Sequence, residues 1–107
     1  MNHWKPITDS EFAELFRIQY AELNEAQRNT FDQFRVPFWK ATIRRSEMYG
    51  DETVFVVSRK DDGVLYFDDV EYGFNISIVD TTGRILEPGG SQNTLKEAIA
   101  QWFPKGN

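Results

Sequence analysis

Residues 53–78 read TVFVVSRKDDGVLYFDDVEYGFNISI, and this stretch decides the fold. Thr53–Ser58 is rich in β-branched residues and apolar on both sides, which predicts a central strand covered on both faces. Residues 61–63 (Asp-Asp-Gly) predict a hairpin turn, because Asp and Gly accept the positive φ that such turns need. Val64–Asp69 is then the return strand. Phe74–Ile78 alternates apolar and polar residues, which is typical of a half-buried strand.

Towards the C-terminus, the chain predicts one more strand and a helix. Thr82-Gly83 favours a turn, Arg84–Glu87 a short final strand, and Pro88-Gly89-Gly90 a loop. Thr94 and Glu97 have the spacing of a capping box, in which each side chain accepts a hydrogen bond from a free backbone N–H. They open a helix whose apolar residues are Leu95, Ile99, Trp102 and Phe103.

Towards the N-terminus, two helices precede the strands. Thr8 and Glu11 form a second capping-box pattern. Beyond them, apolar residues recur at intervals of three and four, which predicts a helix from about residue 9 to 23. The residues of this apolar stripe are Phe12, Leu15, Phe16, Tyr20 and Leu23.

A shorter helix is predicted at residues 25–34, capped by Asn24, with Phe31 and Phe34 facing inward. Pro37 is expected to end it. Residues 38–45 then predict the first strand, and Gly50-Asp51 is expected to break the chain before the next strand.

The resulting order is α-α-β-β-β-β-β-α. Successive strands joined by short turns favour an antiparallel meander. The predicted fold is therefore α+β: one domain over residues 1–107, with a sheet of about five strands, and two N-terminal helices and one C-terminal helix on one face.

Composition sets limits on location and chemistry. The chain has 107 residues, 40% of them hydrophobic and 15% aromatic, which suffices for one core. The absence of cysteine excludes disulfides and thiol catalysis. Neither a signal-peptide pattern nor an apolar run of about 18 residues occurs, so we expect a cytoplasmic protein that does not interact with membranes.

The negative charge lies in the second half of the chain. Residues 1–50 carry seven acids and seven bases, whereas residues 51–107 carry ten acids and five bases, which gives the net charge of −5. This balance disfavours nucleic-acid binding and favours association with a basic partner.

An enzyme is the weaker interpretation, and the sequence predicts no cofactor. His3, near the N-terminus, is the only histidine, and the chain has neither a P-loop nor a Gly-x-Gly-x-x-Gly motif. One alternative remains open. If they lie on a strand, Asp69 and Glu71 share a face, where two carboxylates bind a divalent ion or act as an acid–base pair.

The acidic segment at residues 61–71 is either ordinary solvated surface or a partner-binding surface. We take it as the predicted partner-binding surface, because tyrosine and carboxylates together suit recognition of Arg and Lys. Strand alternation sends Tyr66 and Phe67 to opposite faces, so one is expected in the core and the other half exposed. An alternative surface is the pair of N-terminal helices, with Trp4 and Trp39 nearby. The predicted partner-binding residues are Asp61, Tyr66, Asp68, Asp69, Glu71 and Tyr72.

Residues 69–77 (Asp-Val-Glu-Tyr-Gly-Phe-Asn-Ile-Ser) carry a resemblance to a family of small stand-alone bacterial proteins. In that family a strand with an aromatic end leads into Asp, Val or Ile, Glu, any residue, Gly-Phe-Asn, any residue and Ser. A Gln and a Leu precede the last helix, as Gln92 and Leu95 do here. The family often has Asn-Gln-Asp-Glu-Leu at this point, where this chain has Ser-Gln-Asn-Thr-Leu. The resemblance covers about residues 23–103.

That family resembles the immunity proteins that protect bacteria from toxins delivered by neighbouring cells, including contact-dependent growth inhibition systems. The resemblance implies a protein that binds and neutralises a cognate toxin. A basic nuclease domain is the partner expected on charge grounds. The alternative is a stand-alone binding or scaffold domain with an unrelated partner, which includes a homodimer.

Overall fold

A computed structural model describes residues 7–46 and 50–102. These residues form three helices and a four-stranded sheet. The predictions for His3, Trp4 and Phe103 lie outside the described residues. In chain order the elements are α1 (Asp9–Ala21), α2 (Glu25–Asp32), β1 (Arg35–Ser46), β2 (Gly50–Lys60), β3 (Gly63–Asp68), β4 (Gly73–Ile78) and α3 (Leu95–Trp102).

Local capping explains where the helices begin. Reciprocal hydrogen bonds join Thr8 to Glu11 and Asn24 to Gln27, so α1 and α2 both open on complete capping boxes. The same reciprocal pair opens α3: Thr94 N donates to Glu97 Oε1 over 2.8 Å, and Glu97 N donates to Thr94 Oγ1 over 3.2 Å. The three predicted helices are therefore confirmed.

The predicted end of α2 and the predicted start of β2 are wrong. The second helix ends at Asp32, and Pro37 lies inside β1, an edge strand where a residue without an N–H is tolerated. Residues 50–51 do not break the chain either. Gly50 pairs with Ser46, and Asp51 pairs with Arg44.

The sheet is an antiparallel meander in the order β1-β2-β3-β4, which confirms the predicted fold class. The predicted fifth strand, Arg84–Glu87, forms only isolated bridges. Two backbone N–H groups of this segment donate to opposite edges of the sheet. Ile85 N donates to Thr42 O in β1, and Leu86 N donates to Ile78 O in β4. A segment divided between two edges cannot run alongside either one as a strand.

Both faces of the sheet are covered, as predicted for the central strand. The three helices pack on one face, where Phe12, Phe31 and Leu95 meet the strands. On the other face, Val79 and Ile85 from the segment after β4 supply the cover. The buried residues of this second face are Ala41, Ile43, Val54, Val56, Val64, Tyr66, Val79 and Ile85.

Two burial predictions fail because of this second layer. Tyr66 and Phe67 do point to opposite faces, but both are buried, so neither is half exposed. In β4, Asn75 and Ser77 are buried, whereas Ile78 is exposed. The alternating pattern was right, but the face carrying the polar residues lies under a loop and not in solvent.

None of the helices within residues 7–46 and 50–102 has both the length and the apolar character needed to cross a membrane.

Candidate protein-binding surface

The acidic segment is divided between two turns at opposite ends of β3. Asp61 and Asp62 lie in the turn from β2 to β3, whereas Asp69 and Glu71 lie in the turn from β3 to β4. The strand between them has six residues. At about 3.3 Å per residue, it separates the two turns by roughly 17 Å. The predicted partner-binding residues therefore do not form one continuous surface.

Tyr66 and Asp68 have no exposed surface to offer a partner, since both are fully buried. The Tyr66 hydroxyl accepts a hydrogen bond from Gly89 N over 2.9 Å. Asp68 Oδ1 accepts hydrogen bonds from Val70 N, over 2.9 Å, and from Glu71 N, over 3.4 Å. Both side chains hold neighbouring backbone in place, which is a structural role.

The residues from Asp68 to Tyr72 form what we call the acidic turn. Because β3 ends at Asp68, Asp69 and Glu71 do not share a strand face as predicted. Asp69 Oδ2 accepts a hydrogen bond from Ile7 N over 2.8 Å, which ties the segment before α1 to this turn.

Burial raises the pKa of the Asp69 carboxyl above its ordinary value. The hydrogen bond from Ile7 N opposes this shift, while the negative charges of Asp68 and Glu52 add to it. Glu52 comes from β2, so carboxylates from two strands and one turn influence each other at this end of the sheet. The Asp69 carboxyl thus lies within electrostatic reach of two other carboxylates, those of Asp68 and Glu52.

Tyr72 is the most exposed large hydrophobic side chain among the described residues, with 59% of its surface accessible. Its φ is +59°, an uncommon conformation for a non-glycine residue. Its ring packs edge-to-face on Phe67, with 5.4 Å between the ring centroids. Val70, also exposed, lies in the same turn. The turn thus presents one fixed aromatic ring beside Glu71 and Asp69.

The rest of the family-like motif, residues 73–77, anchors the loop that leads to α3. A Cβ atom at Gly73 would lie 2.5 Å from Ser91 O and 2.8 Å from Asn93 N, so only glycine fits. Asn75 Nδ2 donates to Ser91 O over 2.9 Å, and Ser77 Oγ accepts from Glu87 N over 2.9 Å. These positions have a structural explanation.

The turn at residues 61–63 has a different electrostatic character. Asp61 adopts a φ of +56°, as the hairpin prediction required, whereas Gly63 begins β3 and has no positive φ. Arg59 Nε donates to Asp61 O over 2.7 Å, and Lys60 lies over the ring of Phe34, with 5.3 Å between Nζ and the ring centroid. Arg59 and Lys60 directly precede Asp61 and Asp62 in the chain, so two basic and two acidic residues lie together here.

Trp39 does not belong to a surface with the N-terminal helices. It is half-buried and packs against the cluster on the opposite face of the sheet, where it also lies beside Gly83.

As for metal binding, no three His, Cys, Asp or Glu side chains in residues 7–46 and 50–102 converge to hold an ion.

Sequence reasoning missed a groove of about 500 Å³ between α1 and β1. The sequence signal for this groove is that positions 13, 16, 17 and 20 share one face of the helix. The apolar periodicity of the sequence instead places Phe16 and Tyr20 in the apolar stripe of α1. The residues lining this α1–β1 groove are Ala13, Phe16, Arg17, Tyr20, Arg35, Val36, Pro37, Phe38 and Val57.

Comparison with known proteins found no matching family, no similar curated protein and no similar solved structure.

Proposed function

We propose that this chain is an immunity-type protein, which binds and neutralises a cognate toxin by protein–protein interaction and performs no catalysis. The observation that supports this function best is the acidic turn, in which exposed Tyr72 stands beside the carboxylates of Asp69 and Glu71. The resemblance of residues 69–77 to small bacterial immunity-type proteins points the same way.

The proposed partner is a basic nuclease domain of the toxin. A nuclease cleft must be basic to hold phosphates, so an acidic turn complements it. Opposite charges raise the rate of encounter, and a central aromatic residue supplies much of the binding energy in many interfaces. The Tyr72 ring is already packed on Phe67, and Asp68 fixes the backbone on either side of Val70, so little ordering remains to be done on binding.

A charge-reversal experiment tests the proposed surface. The protein encoded beside this chain is co-purified with it, and association rates are measured at several salt concentrations. We expect Glu71→Lys to slow association roughly tenfold at low salt and to flatten the salt dependence. Tyr72→Ala should mainly speed dissociation, because it removes an anchor without changing charge.

Asp62→Lys is the matched control, because Asp62 is exposed in the other turn, has no positive φ to preserve, and undergoes the same change of charge. If both charge reversals slow association equally, only the net charge matters and the acidic turn is not the interface. If the neighbouring protein forms no complex and its toxicity is not suppressed by this chain, the immunity function is wrong. A constitutive tight homodimer in analytical ultracentrifugation would instead favour the scaffold alternative.

A further inference from the structure

The α1–β1 groove has apolar walls and a charged rim. One wall is the α1 face that carries Phe16 and Tyr20, and the other is the start of β1, with the partly exposed ring of Phe38. Val57 of the central strand also lines it. A concave apolar site of about 500 Å³ is in the range of sites that bind small molecules.

Arg35 is a cationic group at the groove that lies over two of its aromatic rings. Its guanidinium carbon lies 5.1 Å from the ring centroid of Phe16 and 4.8 Å from that of Tyr20. Two cation–π contacts therefore hold the guanidinium at the groove while 44% of its side chain stays exposed.

Asp32, the carboxylate that lies near Arg35, does not accept a hydrogen bond from the Arg35 guanidinium. Asp32 Oδ1 lies 3.9 Å from Arg35 Nη1, which is too far for a hydrogen bond. Both oxygens of Asp32 instead accept from the Tyr20 hydroxyl, over 2.9 and 2.8 Å. Burial raises the pKa of Tyr20, with the Asp32 carboxylate adding to the shift, so this hydroxyl remains a donor.

Arg17, on the other rim, is already paired. Its Nε and Nη2 donate to the two carboxylate oxygens of Glu14, over 3.1 and 2.5 Å. The charge of Arg17 is thus locally matched. An incoming anion therefore gains more electrostatic energy at Arg35 than at Arg17. It can approach Arg35 to hydrogen-bond distance, which is closer than the 3.9 Å between Asp32 and Arg35.

We infer that the α1–β1 groove binds a small hydrophobic carboxylate, with the apolar body between α1 and β1 and the carboxylate on Arg35. An added peptide strand fits less well, because Pro37 removes a backbone donor from this part of the β1 edge. The groove is separate from the acidic turn, so this inference does not depend on the proposed toxin partner.

The test compares three probes on the intact chain by calorimetry and by amide chemical-shift changes. The probes are 3-phenylpropionate, 3-phenylpropan-1-ol, which has the same ring without the charge, and acetate, which has the charge without the ring. We expect 3-phenylpropionate to bind about tenfold more tightly than either control, because both the ring and the charge-assisted hydrogen bonds contribute. The shift changes should centre on residues 13–20 and 35–38.

Arg35→Gln removes the charge from an exposed position, so we expect it to fold and to lose the preference for carboxylate over alcohol. Arg28→Gln is the matched control, because Arg28 also acts electrostatically on Tyr20 but does not line the groove. Equal affinity for acid and alcohol, an equal loss with both variants, or shift changes away from the groove would each overturn the inference. The comparison of probes on the unmodified protein needs no variant to fold.

Discussion

The turn at residues 61–63 and the acidic turn at residues 68–72 flank the same strand, and each has a non-glycine residue with positive φ. Each also carries two carboxylates at or near the surface, Asp61 and Asp62 in the first, Asp69 and Glu71 in the second. The first turn is explained by local chemistry, because an Asp accepts a φ of +56° and two residues suffice to reverse the chain.

The acidic turn is held by contacts from distant parts of the chain. Asp69 binds the backbone of Ile7, and Gly73 packs directly on the segment 91–93. Similar composition therefore produces a hairpin turn whose geometry its own residues set, with one long-range hydrogen bond from Val79 N to Asp62 O, and a turn that several distant contacts fix. The direction in which the acidic turn faces thus depends more on the rest of the fold.

The largest expected difference in stability is between substitutions of two glycines. Gly63 begins the strand after the first turn, and Gly73 begins the strand after the acidic turn. In Gly73→Ala, the new methyl group would collide with backbone atoms of residues 91–93, which cannot move aside as a flexible side chain can. We expect a loss of about 3 kcal/mol in the free energy of unfolding, measured by urea denaturation.

Gly63→Ala is the matched control in the other turn. The nearest atom to a Cβ there is Lys60 O at 3.4 Å, an ordinary contact. The change should therefore stay within about 0.5 kcal/mol of the unmodified protein. Similar losses for both substitutions would mean that the packing against residues 91–93 is not what fixes the acidic turn.

A smaller difference in stability is expected between substitutions of one aspartate in each turn, Asp68 and Asp62. Asp68→Ala removes the acceptor of the Val70 and Glu71 backbone donors from a buried position, which should cost about 2 kcal/mol. Asp62→Ala, at an exposed position, should change stability by less than about 0.5 kcal/mol. Thermal unfolding of the two variants checks this, and an Asp68→Ala protein as stable as Asp62→Ala would contradict the structural role of Asp68.

The sequence predicts the features of this fold that depend on local chemistry. The capping pairs Thr8–Glu11 and Thr94–Glu97 mark the true helix starts, and the turn at residues 61–63 is correct. In each case the residues that form the feature are within four positions of each other. The same reasoning placed the central strand, whose continuous apolar run requires cover on both faces.

Features that depend on distant contacts could not be predicted in this way. Asn75 and Ser77 look like solvent-facing positions until the loop from residue 87 to 91 is known to bind them. Tyr66 looked like a possible anchor for a partner, but its hydroxyl is engaged by Gly89 N. The predicted partner-binding set therefore includes two side chains that are buried, Tyr66 and Asp68, because burial depends on which segment folds back over the sheet.

The smallest expected effect is on the pH dependence of stability. It concerns two carboxylates whose pKa values shift in opposite directions. Asp69 lies in the acidic turn, and its pKa is raised, first by burial. Asp80 follows Val79, whose N–H donates to Asp62 O in the other turn. The pKa of Asp80 is lowered, first by the hydrogen bond from the Thr82 hydroxyl and then by the N–H groups of Arg84 and Thr82.

These shifts predict opposite pH dependences for Asp69→Asn and Asp80→Asn. A raised folded-state pKa means that the native state holds the proton more tightly, so Asp69 disfavours folding at neutral pH and this effect fades as pH falls towards the ordinary value of about 3.9. Asp69→Asn, which retains an oxygen for Ile7 N, should be at least as stable as the unmodified protein at neutral pH and lose that advantage in acid.

The Asp80 carboxylate stabilises the folded protein above its ordinary pKa of about 3.9, and this contribution disappears as pH falls through the lower folded-state value. Asp80→Asn should therefore be less stable than the unmodified protein at neutral pH, with the difference shrinking only in strong acid. Urea unfolding of the three proteins between neutral pH and about pH 3 tests both signs. Parallel curves for the two variants would show that burial at the acidic turn does not oppose ionisation of Asp69.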